Sequence, residues 1–487
     1  MNKQRVLFRV DGNRNIGMGH ISRCLALAEL LRDDFELVFA ICEPEAHILN
    51  DIKHVSHKLV ILSPPADVSG FNNELNPYLA GTEIVVLDGY SFTAEYENTV
   101  KNHAAAVISI DDIPSRHFVA DGIINFCGAI HPTDYSKEFY TQLYLGLDYI
   151  FLRSPFLRAL PTEKNLNGAL LLNMGGADLG NETEKTLKEI LESGFSGKII
   201  VIIGKSYPFK TSLESLIAVN PFITLEQGLS AQEMHNTMSQ CIVAILTPST
   251  VALEFLSTGG ILFVKLTAEN QRCINKYLLQ EKMAFDYSEF SGFVNKHSNL
   301  SNGKISSFSL PVKSFDRSSL KRIKELFASL SVSLKMKFRR AKADDAKLAF
   351  DWANDPEVRK YSYTKSGILW KEHIQWFTKK ISDNCCKYFI VEIDSIPVGQ
   401  IRFDLSNDEP ETYVISYLIS KDWRGKGLGN SILVKGIQNL RITHPVQKII
   451  GYVQDLNIGS IKAFDRAGFK KIVSLEYPKS SKFELSF

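Results

Sequence analysis

The chain has 487 residues, with 45% hydrophobic and 23% charged residues and a formal net charge of +2. That length suggests about three domains, and the apolar share is ordinary for globular cores. The near-neutral charge, with no long run of one sign, gives no argument for nucleic acid or an anionic membrane surface as the main partner.

The seven cysteines are scattered, with no C-x-x-C pair. They read as reduced thiols, and no metal site is expected. The opening "MNKQRVLFRVDGN" is too short in apolar residues for a signal peptide. No apolar run reaches the roughly 18 residues of a membrane helix. A cytoplasmic protein is expected.

Short apolar runs alternate with helical patterns through the first two-thirds. "RVLFRV" reads as a buried strand, and "HISRCLALAELLRDD" as a helix with Ile21, Cys24, Leu25, Ala28 and Leu31 on one face. "ELVFAI", "EIVVLD" and "AVISID" read as further strands. This alternation predicts a parallel sheet covered by helices on both faces. A break at residues 152–168 carries two prolines, and the alternation then starts again with "ALLLNMGGADLGN", "KIIVIIGKS", "CIVAIL" and "ILFVKL". Residues 291–315 are rich in Ser and Asn and read as a loop or a poorly packed segment, followed by a helix in "DRSSLKRIKELFASL". From about residue 336 the texture becomes α+β. The expected class is therefore α/β: two Rossmann-like domains, 1–157 and 166–330, in a GT-B arrangement, then an α+β domain over 336–487.

Three stretches carry chemistry. In "NMGGAD" a strand runs into a Gly-Gly turn and a helix whose free N–H groups suit a diphosphate without a metal. In "TPSTVALEFLSTGG", Ser249 or Thr250 is a possible N-cap, and Glu254 either accepts from a ribose diol or is a solvated helix carboxylate. In "WRGKGLGNSILVKGI", a glycine-rich loop opens a helix and suits a pyrophosphate, or is a plain turn.

Together with "NIGSIKAFDRAGF", that last stretch resembles the Gcn5-related N-acetyltransferase (GNAT) family over about residues 337–487. The resemblance implies acetyl-CoA as cosubstrate. Arg424, Gly425, Lys426, Gly427, Leu428 and Gly429 would bind its pyrophosphate, with Asn457 and Ser460 along the pantetheine arm. The family's usual tyrosine acid is replaced by Phe464. That leaves Tyr413, Tyr417 or water as acid, and Glu411 as base or mere surface carboxylate.

"FRVDGNRNIGMGHISR", residues 8–23, resembles the pattern F-R-x-D-x-x-x-x-I-G-x-G-H-x-x-R of the UDP-2,4-diacetamido-2,4,6-trideoxy-β-L-altropyranose hydrolase family of pseudaminic acid synthesis. "VLDGY", "SIDD", "NMGGAD" and "ENQ" extend the likeness over about residues 4–285. It implies His20 as general base for water. Arg9 and Asp11 would shape the sugar site, Gly17 and Gly19 would admit backbone close to it, and Asp88 and Tyr90 would line the same cleft. Gly175 and Gly176 would hold the diphosphate, Glu254 the ribose and Asn270 the substrate.

The two resemblances together imply a bifunctional enzyme. Its acetyltransferase, similar to those acting on UDP-4-amino-4,6-dideoxy-N-acetyl-β-L-altrosamine, would work just before UDP removal. The expected partners are a UDP-amino sugar and acetyl-CoA, with neither nucleic acid nor membrane. A glycosyltransferase, or a related nonulosonate or spore-coat sugar enzyme fused to an acyltransferase, stays open as the alternative.

Overall fold

A computed structural model describes residues 3–13, 16–158, 168–296, 318–473 and 476–487. The chain divides into two compact units, Met1–Lys324 and Glu325–Phe487. Among the described residues no helix is long and apolar enough to cross a membrane.

The first unit holds two large parallel sheets, beside a two-stranded pair of His117–Phe118 with Ser136–Lys137. In one, Arg5–Val10 lies centrally, with Glu36–Cys42 and Lys58–Leu62 to one side. Ile84–Asp88, Ala106–Ile110, Gly122–Asn125 and Gln142–Leu145 lie to the other. The second repeats the plan. Ala169–Asn173 is central, Ile199–Ile203 and Ile223–Gln227 are on one side, and Cys241–Leu246, Ile261–Val264 and Phe285–Asp286 are on the other. All these pairings are parallel. The strand order therefore reverses beside the central strand of each sheet, which opens a crevice at the carboxyl ends of the strands.

The apolar runs explain why these strands form. Every residue of Ile84–Asp88, Ala106–Ile110, Ile199–Ile203 and Cys241–Leu246 is buried, as expected for strands with helices on both faces. Each fully buried Ile, Leu or Val stabilises by about 1.5–3 kcal/mol relative to exposure.

The expected break between the sheets falls largely on residues 159–167, outside the described residues. The expected loop from residue 291 is helical in its first turns, Phe290–Lys296. Buried Phe290 and Val294, with Phe293 beside them, anchor that segment on the second sheet's core. Apolar spacing outweighs its Ser and Gly content there. Residues 297–315 of the same stretch lie outside the described residues. The helix at Ser318–Leu334 forms as expected.

One close approach tightens the second sheet. A Cβ built on Gly204 would stand 1.8 Å from the carbonyl oxygen of Gly176. Gly204→Ala must push the Gly-Gly turn away, at about 1–3 kcal/mol. A lowered urea midpoint with an unchanged slope is the expected measurement; an unchanged midpoint would contradict this packing.

The second unit has one seven-stranded sheet, in the order Met336–Arg340, Cys386–Ile393, Ile396–Leu405, Thr412–Ile419, Lys448–Gln454, Ser480–Ser486, Lys470–Val473. All its pairs are antiparallel except Thr412–Ile419 with Lys448–Gln454. That parallel pairing runs from Thr412 opposite Lys448 to Ile415 opposite Gly451 and stops, although both strands continue. Beyond Ile415 and Gly451 the strands are no longer paired with each other, which makes a wedge in the sheet.

Candidate active sites

In the first unit, segments following the strand ends of both sheets line a cleft of about 620 Å³. The first sheet brings Gly17, Gly19, His20, Tyr90 and Asp112; the second brings Gly175, Gly176, Thr247, Ser249, Glu254 and Asn270.

His20 is the second residue of the helix Gly19–Leu31 and is buried. Its Nδ1 lies 2.6 Å from Asp88 Oδ1. One turn along the same helix, Arg23 donates to both oxygens of Asp88, each at 2.6 Å, and through Nη1 to Asp112 at 2.6 Å. Tyr90 donates to Asp112 at 2.9 Å, and Asn270 donates to Tyr90 at 2.9 Å. The Tyr90 ring stands edge-on to His20 with centroids 4.7 Å apart. One hydrogen-bonded chain thus runs from Asn270, on the second sheet's side, to the histidine.

The charges in this chain are fixed by their neighbours. Burial alone would raise the Asp88 carboxyl, but Arg23 and then His20 outweigh it and hold it down at about 2. Burial works against the Arg23 charge too, yet Asp112 and Asp88 keep it firmly protonated. Burial, then the Asp112 charge, pushes the Tyr90 phenol up, so Tyr90 stays a donor. A carboxylate on Nδ1 fixes the tautomer and leaves Nε2 as the nitrogen able to take a proton.

The structure places several expected residues differently. Arg9 and Asp11 do not line the cleft. Arg9 is 1% exposed and pairs with Asp11 and Glu74, both at 2.6 Å, with its guanidinium 5.2 Å from the Phe92 ring centroid. Side chains alternate along a strand, and Arg9 shares the face of Leu7, which belongs to the same apolar core as Phe92 and Tyr96. Asp88 lies behind His20 and does not line the cleft wall. It orients the ring.

The helix after the Gly-Gly turn, Glu182–Glu192, has its first two N–H groups already taken. Asp178 accepts from the backbone N–H of Glu182 at 2.8 Å and of Thr183 at 2.7 Å. Gly175 and Gly176 do line the cleft, and a Cβ on Gly176 would meet Met18 at 3.0 Å. A second-sheet helix start at the cleft with no side-chain cap is Thr250–Thr258. Ser249 holds the N-cap position there without a capping bond, and Thr247 to Val251 line the cleft. The start of the His20 helix is likewise uncapped and lines it. Both are suited to an anion.

Glu254 is buried, not solvated, and takes the forked guanidinium of Arg153 at 2.7 and 2.5 Å. A ribose would have to share this carboxylate with Arg153. Sequence reasoning assigned no role to Arg23, Asp112 or Arg153. Arg23 stands three residues after His20 within the opening motif, which was the available signal for it.

In the second unit the glycine-rich loop opens the helix Leu428–Thr443. Gly427 holds the N-cap position at φ 75° with no side-chain cap, so the first N–H groups are left for a ligand. Gly425 and Gly429 belong to the same turn, and Lys426 sits over the Trp423 ring at 4.6 Å. Leu428 is buried, so only its backbone could reach a ligand. Arg424 is already engaged: it pairs with Asp355 at 2.8 Å and donates to the Ile419 carbonyl at 2.9 Å. Its Nη2 is buried without a partner.

Asn457 caps the helix Ile458–Arg466 by accepting from the Ser460 N–H at 3.1 Å. Tyr417, in the part of its strand no longer paired with Lys448–Gln454, donates to Ser460 Oγ at 3.2 Å. Burial raises its phenol above the ordinary value. Phe464 is core, packed on Phe469 and Phe483 with centroids at 4.7 and 5.2 Å. Tyr413 is buried in the paired part of the strand, and Glu411 precedes it. These two lie away from the wedge, which leaves Tyr417 as the tyrosine of the three candidates that borders it.

Residues 335–470 match the family model of the acetyltransferase (GNAT) domain. An uncharacterised protein of Methanocaldococcus jannaschii is 24% identical over 497 residues, covering 96% of this chain and 97% of that protein. The UDP-2,4-diacetamido-2,4,6-trideoxy-beta-L-altropyranose hydrolase of Campylobacter jejuni is 24% identical over 287 residues, covering 58% of this chain and 99% of the hydrolase. Among solved structures, a spermidine N-acetyltransferase from Vibrio cholerae, in complex with CoA and spermine, covers 31% of this chain and 95% of its own at 16% identity, with a TM-score of 0.29. A domain from Methanocaldococcus jannaschii covers 31% and 99% at 23% identity, with a TM-score of 0.28.

Proposed function

We propose, for a chain whose C-terminal unit carries a GNAT acetyltransferase domain and whose N-terminal part is similar to a UDP-sugar hydrolase, a bifunctional nucleotide-sugar enzyme of pseudaminic acid synthesis. In this reading the two parallel sheets are the halves of a GT-B arrangement, as domains 1–157 and 166–330, with 336–487 as the acetyltransferase. The second unit N-acetylates the 4-amino group of UDP-4-amino-4,6-dideoxy-N-acetyl-β-L-altrosamine. The first then hydrolyses the product to UDP and 2,4-diacetamido-2,4,6-trideoxy-L-altropyranose, without a metal. The carrying observation is His20: it lines the cleft, its Nδ1 is held by Asp88, and uncapped helix starts line the same cleft.

His20 Nε2 takes a proton from water as the water oxygen bonds to the anomeric carbon. The bond from that carbon to the UDP oxygen breaks, and UDP leaves with the electron pair. The N–H groups at the starts of Thr250–Thr258 and Gly19–Leu31 receive the diphosphate charge. Gly17, Gly19, Gly175 and Gly176 let the backbone come close to the ligand, and Tyr90 and Asn270 border the sugar. A positioned base contributes about 10²–10⁴-fold, and orientation adds to it.

In the second unit acetyl-CoA supplies an acyl thioester. The residues present fit it: an uncapped helix start at Gly427 for the pyrophosphate, and a wedge bordered by Tyr417 and Ser460 for the arm. Tyr417 holds a proton at its hydroxyl where a departing thiolate would need one.

Gly427→Trp separates the two activities. Its φ of 75° disfavours any other residue, and a Cβ there would already meet Ser329 Oγ at 3.3 Å. The variant is expected to lose acetyl-CoA binding by calorimetry while releasing UDP from pre-acetylated substrate at the parent rate. Parallel loss of both activities in a folded variant would contradict two independent sites. The full reading is tested by incubating the chain with acetyl-CoA and the UDP-amino sugar and following products by mass spectrometry. The acetylated UDP-sugar should appear first and the free diacetamido sugar second.

A further inference from the structure

Two sulfurs meet at the edge of the first unit's cleft. Cys127 follows the strand Gly122–Asn125 of one sheet, and Cys273 is the second residue of the helix Arg272–Gln280 that follows the other sheet's strand Ile261–Val264. Their Sγ atoms are 3.0 Å apart, and both residues line the cleft. The approach is built in. The Cys127 N–H donates to Asn125 Oδ1 at 2.9 Å, and Asn125 donates to the Tyr135 hydroxyl at 2.9 Å. Next to Cys127, a Cβ on Gly128 would stand 2.1 Å from the Tyr277 ring, one turn along the helix from Cys273. The same helix thus packs on the same loop at two neighbouring points.

We propose that Cys127 and Cys273 are an oxidation site, a dithiol that a peroxide converts into a disulfide tying the two sheets together across the cleft. A disulfide needs its sulfurs at about 2.0 Å, roughly 1 Å closer than they stand. The Cys273 sulfur carries charge more readily than an ordinary thiol because the Cys127 thiol donates to it. The Cys273 thiolate attacks one peroxide oxygen and becomes a sulfenic acid, and the other oxygen leaves as hydroxide and is protonated to water. Cys127 then loses its proton and attacks Cys273 Sγ, expelling the hydroxyl as a second water. In sum, two thiols and one hydrogen peroxide give one disulfide and two waters.

Closed in this way, the helix carrying Cys273, and Asn270 just before it, is bound to the loop beside Asp112. The cleft can no longer open by separation of its walls. The consequence for turnover rests on the proposed hydrolase reading; the bond itself does not.

The test oxidises the reduced full chain with equimolar hydrogen peroxide, then alkylates free thiols and maps peptides by mass. A Cys127–Cys273 bridged peptide is expected, with a Tm several degrees higher and UDP release slowed several-fold, all reversed by dithiothreitol. Cys127→Ser and Cys273→Ser, each compared with its own reduced form, should show no bridge and no peroxide effect on Tm or rate. Both thiols alkylated after peroxide, with exposed Cys385 oxidised instead, would overturn the site. A bridge that leaves UDP release unchanged would overturn its effect on the cleft. A reduced chain that releases no UDP would overturn the hydrolase reading, with the bond still scored by the peptide map.

Discussion

UDP release by His20→Ala should fall about 10²–10⁴-fold, the range for removal of a positioned general base. In the proposed mechanism the ring takes a proton in the transition state and the diphosphate is held elsewhere, so the loss should fall on kcat. Acetylation by the same variant should continue, since His20 and the wedge belong to different units. The truncation removes one partner of the buried Asp88 but leaves its pair with Arg23, so a loss of stability of about 1–3 kcal/mol is expected and turnover is compared in the folded fraction. A variant with parent turnover would remove His20 from the mechanism.

Asp88→Asn should have the second large effect, and on two quantities. The wild-type carboxylate is fully buried and takes both Arg23 and His20. Removing its charge leaves Arg23 with Asp112 as the remaining carboxylate partner named in this network, and breaking a buried pair in this way costs about 3–5 kcal/mol. The amide also no longer fixes which ring nitrogen of His20 is free, so turnover should fall even in the folded fraction.

The pH dependence follows from the lowered carboxyl. Folding lowers Asp88 to about 2, so its contribution is complete above the unfolded value of about 3.9 and fades as pH falls through about 2. The difference between wild type and Asp88→Asn in urea midpoint should therefore narrow between about pH 4 and pH 2. A constant difference across that window would show that Asp88 does not act through its charge.

Much of this protein is legible in its sequence, for local reasons. Buried parallel strands are continuous Val, Ile and Leu runs, and "RVLFRV", "EIVVLD", "AVISID" and "CIVAIL" all became strands. The acetyltransferase sheet was readable because strand, glycine loop and helix follow one another directly.

What escaped were contacts between distant positions. Nothing adjacent to Glu254 announces that Arg153, 101 residues away, would take its carboxylate. Arg9 and Asp11 share a motif with His20, yet strand alternation turns Arg9 to the opposite face and ties it to Glu74. The Gly-Gly turn was visible, but the choice of anion site depends on which helix start is already capped. Asp178 closes one, and the start at Thr250 has no such cap. In the second unit, Tyr417 and Ser460 are 43 residues apart and meet because the two parallel strands stop pairing after Ile415.

In the proposed reaction the cleft adds water to an anomeric carbon with His20 as base. Its most direct test supplies the full chain with the acetylated UDP-sugar, no acceptor, and water labelled with heavy oxygen. UDP release without an acceptor is expected, with the label at the anomeric oxygen of the free sugar and none in UDP. Label in the UDP phosphate, or no release until a sugar acceptor is added, would contradict it.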